Sequence, residues 1–396
     1  MGIDDPFVMS EQLVVTIERI LPGGVGLAHL EGKTVFVSLA AAGDRVRIRV
    51  DREKGNLVYA SIDEILEPSP ERIEPPCPYF GRCGGCDFQQ LNYAAQLSAK
   101  AGIIRDCLHR IANLDIPDIP IIPSPSEWQY RARATWQLDS SEQTLGYYER
   151  SSRNVCDVAQ CAVLVPALQK TLEQVRSTAP EAVPSDLKHL DAVIGDNGVS
   201  LAPAFDGFHT SELTLRVKDE NYTYNAEAFF QVNQQLLDQI VDFALLEATG
   251  NSALDLYCGV GLFTLPLARR FKNVIGVEAN PVATRFARRN LQHAQLSNAQ
   301  IVTATVTDWF RSTNNGPATV DLVLLDPPRA GAESAVIKGI LDARPSRISY
   351  VSCDPATLAR DLKKLVAGGF RVESLKGFDM FPQTHHVETI VHLVIT

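Results

Sequence analysis

A chain that alternates strand, glycine turn and helix has few options besides an open, mostly parallel sheet, and from Ala226 onward this chain alternates in that way. Ala253-Leu254-Asp255-Leu256 reads as a strand, Tyr257-Cys258-Gly259-Val260-Gly261 as a tight turn, and Leu262-Phe263-Thr264 as the start of a helix. Glycines there let a ligand approach the backbone at a helix amino terminus. The third glycine of the dinucleotide fingerprint is missing, so a dinucleotide is not expected. Residues 271–278 form a second strand ending in Glu278, an acid placed to accept both hydroxyls of a ribose. Asp308 follows a third strand, where an adenine would be met, and a fourth runs into Asp326-Pro327-Pro328. The next strand ends in Ser352-Cys353-Asp354-Pro355. A cysteine at the carboxyl end of a strand in such a sheet points into the ligand crevice. Taken alone, a free cysteine is more often a small buried hydrophobe. The cofactor pattern around Cys353 favours a nucleophile instead.

The remainder of the chain narrows the class. At 396 residues there is room for three domains, placed at 10–67, 68–225 and 226–396. A hydrophobic content of 45% with 21% charged residues describes a soluble globular protein, and no apolar run approaches the ~18 residues of a membrane helix. The acidic start, Met1-Gly2-Ile3-Asp4-Asp5-Pro6, carries neither a secretory core nor a lipidation signal, so a cytoplasmic protein without a membrane partner is expected. Eight cysteines in such a chain argue for metal ligation or catalysis before disulfides. A net charge of −10 means that any nucleic-acid site must gather its basic residues on one face.

Residues 10–67 read as five short strands of an OB-like β-barrel, with Arg45, Arg47 and Arg49 alternating onto one strand face, either for nucleic acid or for solvent. Cys77, Cys83 and Cys86 follow in a Cys-x5-Cys-x2-Cys run that can converge on one metal or cluster, with Cys156 and Cys161 as candidates for a fourth ligand. Zinc is the alternative occupant; the lack of a second tight cysteine pair favours iron–sulfur. Residues 91–114 form an amphipathic helix, carrying Cys107, that is expected to pack on the third domain. Strands dominate residues 120–225, where Arg131 and Arg133, with Tyr147, Tyr148, Arg150 and Arg153, can form a basic surface with aromatics for unpaired RNA.

In order, the pieces are a TRAM-like barrel, CPYFGRCGGC (77–86) with Cys161, FFQVN (229–233), DLYCGVG (255–261), LLDPPRAG (324–331), YVSCDPATLARD (350–361) and HHVETIVHL (385–393). Over nearly the whole length this combination resembles the RNA (uracil-5-)-methyltransferase family, in its TRAM-containing iron–sulfur branch that modifies 23S ribosomal RNA. The resemblance implies an α/β class I (Rossmann-like) methyltransferase domain, an N-terminal OB-like TRAM barrel and a central β-rich iron–sulfur domain. It implies a monomer that transfers methyl from S-adenosylmethionine to carbon 5 of a uridine. Carbon 5 of uracil is a poor nucleophile, so Cys353 would add at carbon 6 and Glu388 would later take the carbon-5 proton. Gln231, Tyr257, Glu278, Asp308 and Asp326 would serve the cofactor, and Phe230 would be available for stacking. Cys77, Cys83, Cys86 and Cys161 would hold a 4Fe-4S cluster. His385 and His386 read as polar residues at a strand start. Two positions depart from the family pattern: Leu262 stands where asparagine is frequent, and Asp354 replaces a frequent asparagine beside the thiol. The same chemistry on the T-loop uridine of transfer RNA is the nearest alternative, and a non-catalytic iron–sulfur RNA-binding protein is the alternative of another class.

Overall fold

A computed structural model describes residues 13–139, 141–178, 184, 186–312 and 320–396. The readings made on Met1–Pro6 and on the first residues of the barrel lie outside the described residues.

Eight strands form the largest sheet. Five of them run parallel in the spatial order Ala299–Thr303, Phe271–Glu278, Gly250–Leu256, Leu322–Leu325, Arg347–Ser352. The order reverses at Gly250–Leu256, and such a switch point opens a crevice beyond the carboxyl ends of the strands. Leu322–Leu325 is apolar and buried throughout, as expected of a strand covered on both faces. Helix Pro281–His293 opens with Asn280 accepting from Val282 and Ala283, and helix Pro355–Ala367 with Asp354 accepting from Thr357 at 2.8 Å; each has proline in its first turn.

The chain then breaks the parallel pattern. Glu388–Ile395 inserts antiparallel between Arg347–Ser352 and Phe370–Phe378, with Ser352 opposite Thr389. Because the strand runs backwards, its first residue, Glu388, lies at the edge where the parallel strands end. Ile121–Ile122 completes the sheet beside Phe370–Phe378. Helix Tyr93–Cys107, extended by a π-turn at Leu108–Ala112, packs Ile104, Cys107 and Leu108 into the same core as Leu358 and Leu362.

The N-terminal sheet has six strands, one more than expected, because Val25–Leu30 forms a strand directly after the Pro22–Gly24 turn. Its Arg45, Arg47 and Arg49 are not a free cationic face. Arg45 pairs with Glu67 at 2.7 Å, Arg47 with Glu64, and Arg49 lies 3.8 Å from Asp51. Asp51 lies on the same strand as Arg49, whereas the neighbouring strand Leu57–Glu67 supplies Glu64 and Glu67, which no reading of a single strand could anticipate. A five-stranded sheet (Val155–Asp157 through Gly198–Ala202) and a hairpin, Leu213–Val217 with Glu220–Tyr224, fill the middle.

The segment 379–387 entering Glu388 is held by the central region. Lys100, fully buried, bonds Asp379 and donates to the Phe381 carbonyl at 3.0 Å; Tyr130 donates to the Pro382 carbonyl at 2.8 Å. Removing one member of a buried pair strands the other charge. Lys100→Met is therefore expected to lower unfolding free energy by about 3–5 kcal/mol in urea titrations. The double change Lys100→Met, Asp379→Leu should recover most of that loss; an unchanged midpoint for the single variant contradicts the role of the pair.

Candidate active site

The crevice at the switch point is a cleft of about 1250 Å³. Its floor is built from strand ends. Tyr257 leaves Gly250–Leu256 at φ +64°, a costly conformation for a tyrosine, and Gly259 and Gly261 follow at φ +54° and +96°. Glu278, ending the neighbouring strand, accepts from the Gly259 N–H at 3.1 Å and the Asn280 N–H at 2.7 Å. Buried Asp255 bonds Thr264 at 2.5 Å and is pushed up to about 7, first by burial. Gln231 donates to Asp326 at 3.4 Å, and both line the cleft beside Tyr257 and Glu278.

Cys353, half-buried, and Glu388, 3% exposed, line the same cleft. Their proximity follows from register, since Ser352 opposite Thr389 places the next residue of one strand beside the preceding residue of the other. Burial pushes the Cys353 thiol up to about 12, with Glu388, Asp326 and Asp354 raising it and Arg329 lowering it. Burial likewise holds Glu388 well above the usual carboxyl range; Asp326 raises it and Arg329 lowers it. Asp326 is raised to about 7 by burial. One Glu388 oxygen, Oε1, is buried without a hydrogen-bond partner. An unpaired acceptor inside a cleft is costly unless something arrives to use it. Arg329, from the Asp-Pro-Pro-Arg turn, is the cation that acts on both groups, a role that sequence reading did not assign.

Other expectations are redistributed. Asp308 is not on the cleft wall: its side chain is 65% exposed, bonds Thr305 at 2.8 Å and pairs with Arg311 at 3.3 Å. Asp308 is in the first turn of helix Val306–Ser312 and points outward, whereas Thr305, Val306 and Thr307 line the cleft. Both members of the aromatic pair touch the cleft, but they differ in exposure. Phe230 is buried and stacked on Tyr224 at 4.4 Å, while Phe229, 58% exposed, lines the cleft with Arg133 5.8 Å from its ring. Arg131, Arg133, Tyr147, Tyr148 and Arg150 reach the cleft; Arg153 is not on its wall. Arg133 is partly committed, donating to the carbonyls of Ala226 and Ala228. His386 also lines the cleft, and burial lowers its imidazole to about 3, so it is neutral there.

A second, much smaller cavity of about 30 Å³ is lined by Cys77, Cys83, Cys86 and Cys161, together with Arg131 and Tyr147. Cys156, buried on Val155–Asp157, is not on its wall. Burial raises Cys83 to about 11 and Cys86 to about 12, and raises Cys161. Arg131 Nε is a buried donor without an acceptor. Among the described residues no group of three or more His, Cys, Asp or Glu side chains is arranged to hold a metal ion. No helix among them is long and apolar enough to cross a membrane.

The strand order, the glycine turn with its acid at the switch point, and the cleft above them define a class I, Rossmann-like methyltransferase joined to a β-rich N-terminal region. The profile of the tRNA (Uracil-5-)-methyltransferase family matches residues 206–395. The 23S rRNA (uracil(1939)-C(5))-methyltransferase RlmD of Pectobacterium atrosepticum is 32% identical, with 97% of this chain and 94% of that protein aligned. An uncharacterized RNA methyltransferase of Aquifex aeolicus is 33% identical, covering 98% of this chain and 99% of that one. Among solved structures, Pyrococcus abyssi tRNA (uracil-54, C5)-methyltransferase in complex with S-adenosyl-L-homocysteine superimposes with a TM-score of 0.73 at 25% identity, covering 96% of this chain and 100% of that one. The chain belongs to the RNA (uracil-5-)-methyltransferase family.

A thiol raised to about 12 is almost wholly protonated at neutral pH, and only the thiolate alkylates. Iodoacetamide labelling of Cys353 in the ligand-free protein, followed by peptide mass spectrometry, is expected to rise about tenfold per pH unit between about pH 7 and pH 9.5. A plateau inside that window contradicts the raised thiol.

Proposed function

We propose that the protein transfers the methyl group of S-adenosylmethionine to carbon 5 of a uridine in 23S ribosomal RNA. The observation that carries this reading is the opening of Cys353 and Glu388 onto one cleft from adjacent positions in the sheet. Gln231, Tyr257, Glu278 and Asp326 would hold the cofactor, with Thr305 and Thr307 taking the place expected for Asp308. S-adenosylmethionine supplies an electrophilic methyl group on a positively charged sulfur. The chain's own groups do the rest. Cys353, as the thiolate left when its proton passes to solvent, bonds carbon 6 and shifts the carbon 5–carbon 6 π electrons toward the carbon-4 carbonyl, which makes carbon 5 nucleophilic. Arg329 offsets the negative charge that gathers among Cys353, Asp326 and Glu388. After methyl transfer, Glu388 takes the proton from carbon 5, and the electrons of that bond expel the sulfur.

The target base must leave any stack to reach the cleft. Phe229 and Tyr148, exposed aromatics on the wall, offer faces for unpaired bases, and Arg150 offers a cation. The ribosomal assignment rests on relatives at 32% identity over almost the whole chain, against 25% for the transfer-RNA neighbour. The N-terminal sheet is read as a TRAM-like module.

A 4Fe-4S cluster is proposed for Cys77, Cys83, Cys86 and Cys161. Four thiols share one cavity, burial raises those of Cys83, Cys86 and Cys161 so that a cationic metal would favour their ionisation, and the partnerless Arg131 donor suits an anionic cluster.

Cys353→Ala is expected to abolish methyl transfer from labelled S-adenosylmethionine, and to abolish the denaturation-resistant adduct with 5-fluorouridine RNA, since fluorine blocks the last elimination. Residual transfer of more than a few per cent of wild type rejects Cys353 as nucleophile. Mapping of modified nucleotides in strains with and without the protein separates ribosomal from transfer RNA. Anaerobically purified protein is expected to absorb broadly in the visible and to contain iron and sulfide, both lost in Cys86→Ser; stoichiometric zinc in a colourless protein overturns the cluster.

A further inference from the structure

The cysteine-bearing loop and the segment entering Glu388 are almost 300 residues apart in sequence and joined along one seam. Backbone N–H groups of Asp87 and Phe88 both donate to the Gln383 carbonyl, at 3.1 and 3.0 Å. The Asp87 carboxylate then holds His385 twice: Oδ1 accepts from its backbone N–H at 2.8 Å, and Oδ2 meets ring Nδ1 at 2.5 Å. Gln96 adds two bonds to Gln383. The N-terminal sheet closes the third side, because a Cβ at Gly24 would stand 3.1 Å from Asp87 Oδ2. Immediately after His385, His386 and Glu388 enter the cleft, and the His385 and His386 ring centroids are 4.1 Å apart.

The two reacting side chains are therefore supported differently. Cys353 directly follows Arg347–Ser352 and is fixed from its own side by Asp354, which caps the helix behind it. Glu388 begins its strand, so its placement depends on the incoming segment that Asp87 clamps. We propose that Asp87 is a positioning residue for Glu388, acting through His385, and that it makes the removal of the carbon-5 proton depend on the cysteine loop. The inference rests on the assignment of Cys353 and Glu388 given above. In the step concerned, the carbon-5 C–H bond breaks with its proton going to Glu388. Its electron pair forms the carbon 5–carbon 6 double bond, and the carbon 6–sulfur bond breaks with its pair going to Cys353. A base misplaced by about 1 Å can lose on the order of 100-fold in rate. Bond formation between Cys353 and carbon 6, and methyl transfer itself, do not use Glu388.

The test compares Asp87→Ala, Asp87→Asn and wild type in the intact, metal-loaded protein. Asp87→Ala is expected to turn over at least ~10-fold more slowly. During that slowed turnover it should accumulate a covalent protein–RNA species, carrying the transferred methyl group, on denaturing gels. Asp87→Asn, which keeps an acceptor for the His385 N–H, should restore most of the rate and remove most of the trapped species. Trapping by 5-fluorouridine RNA should proceed in Asp87→Ala within about twofold of wild type, because it does not need the base step. Slower turnover without trapped methylated RNA, or unchanged turnover, overturns the proposal. If wild type itself forms no adduct with 5-fluorouridine RNA, the assignment of Cys353 fails instead. Should Asp87→Ala not fold, His385→Ala removes the same ring contact and is held to the same outcomes.

Discussion

The pairing of Ser352 with Thr389 is the constraint on which the site depends. A parallel strand delivers its last residue to the crevice and an antiparallel strand delivers its first. Inserting Glu388–Ile395 backwards beside Arg347–Ser352 therefore brings a thiol and a carboxyl to one edge without a long loop. Side chains alternate across a strand, so a slip of one residue would turn Glu388 to the other face. The buried run along both strands, including Ile348, Tyr350, Ile390, Val391 and Leu393, makes such a slip expensive.

Around that pair the protein gathers more acid than it can ionise. Cys353, Asp326 and Glu388 are all shifted toward their neutral forms by burial; neighbouring carboxyls push Cys353 and Glu388 further, with Arg329 as the cation opposing those two shifts. A site in that condition is poised for positive charge, and the proposed donor carries one on its sulfur. Arrival of a cation would favour the thiolate where the pyrimidine is to be attacked, so the nucleophile would be activated when the donor is present. His386, neutral at the same wall, adds no competing charge.

Much of this was legible before any coordinates. The glycine turn, the strand-end acids and the cysteine after a strand are local patterns whose chemistry follows from their place in an open parallel sheet. What misled was always phase or partnership. The strand pattern puts Asp308 after a strand end, but a helix has already begun at Val306 and turns the carboxylate outward, leaving Thr305 and Thr307 inside. In Phe229-Phe230 an alternating pattern cannot say which ring faces the core, and contact with Tyr224 decides it for Phe230. Arg45 and Arg47 looked like a cationic face because Glu67 and Glu64, about twenty residues later, could not be seen to lie opposite them.

By itself the sequence determined the kinds of element and the chemical inventory: a doubly wound sheet, a thiol at a strand end, a carboxyl at a strand start, and a cysteine run able to converge. These depend on short-range periodicity and on residue type, which survive without knowledge of neighbours. Spacing alone leaves Cys156 and Cys161 open and the family resemblance points to Cys161; the tertiary structure puts Cys161 on one cavity with the other three cysteines, and it alone decides that Asp87 grips the segment ahead of Glu388. Those facts depend on which distant backbones lie side by side, and that is set by burial of the shared core, a property of the whole chain rather than of any stretch within it.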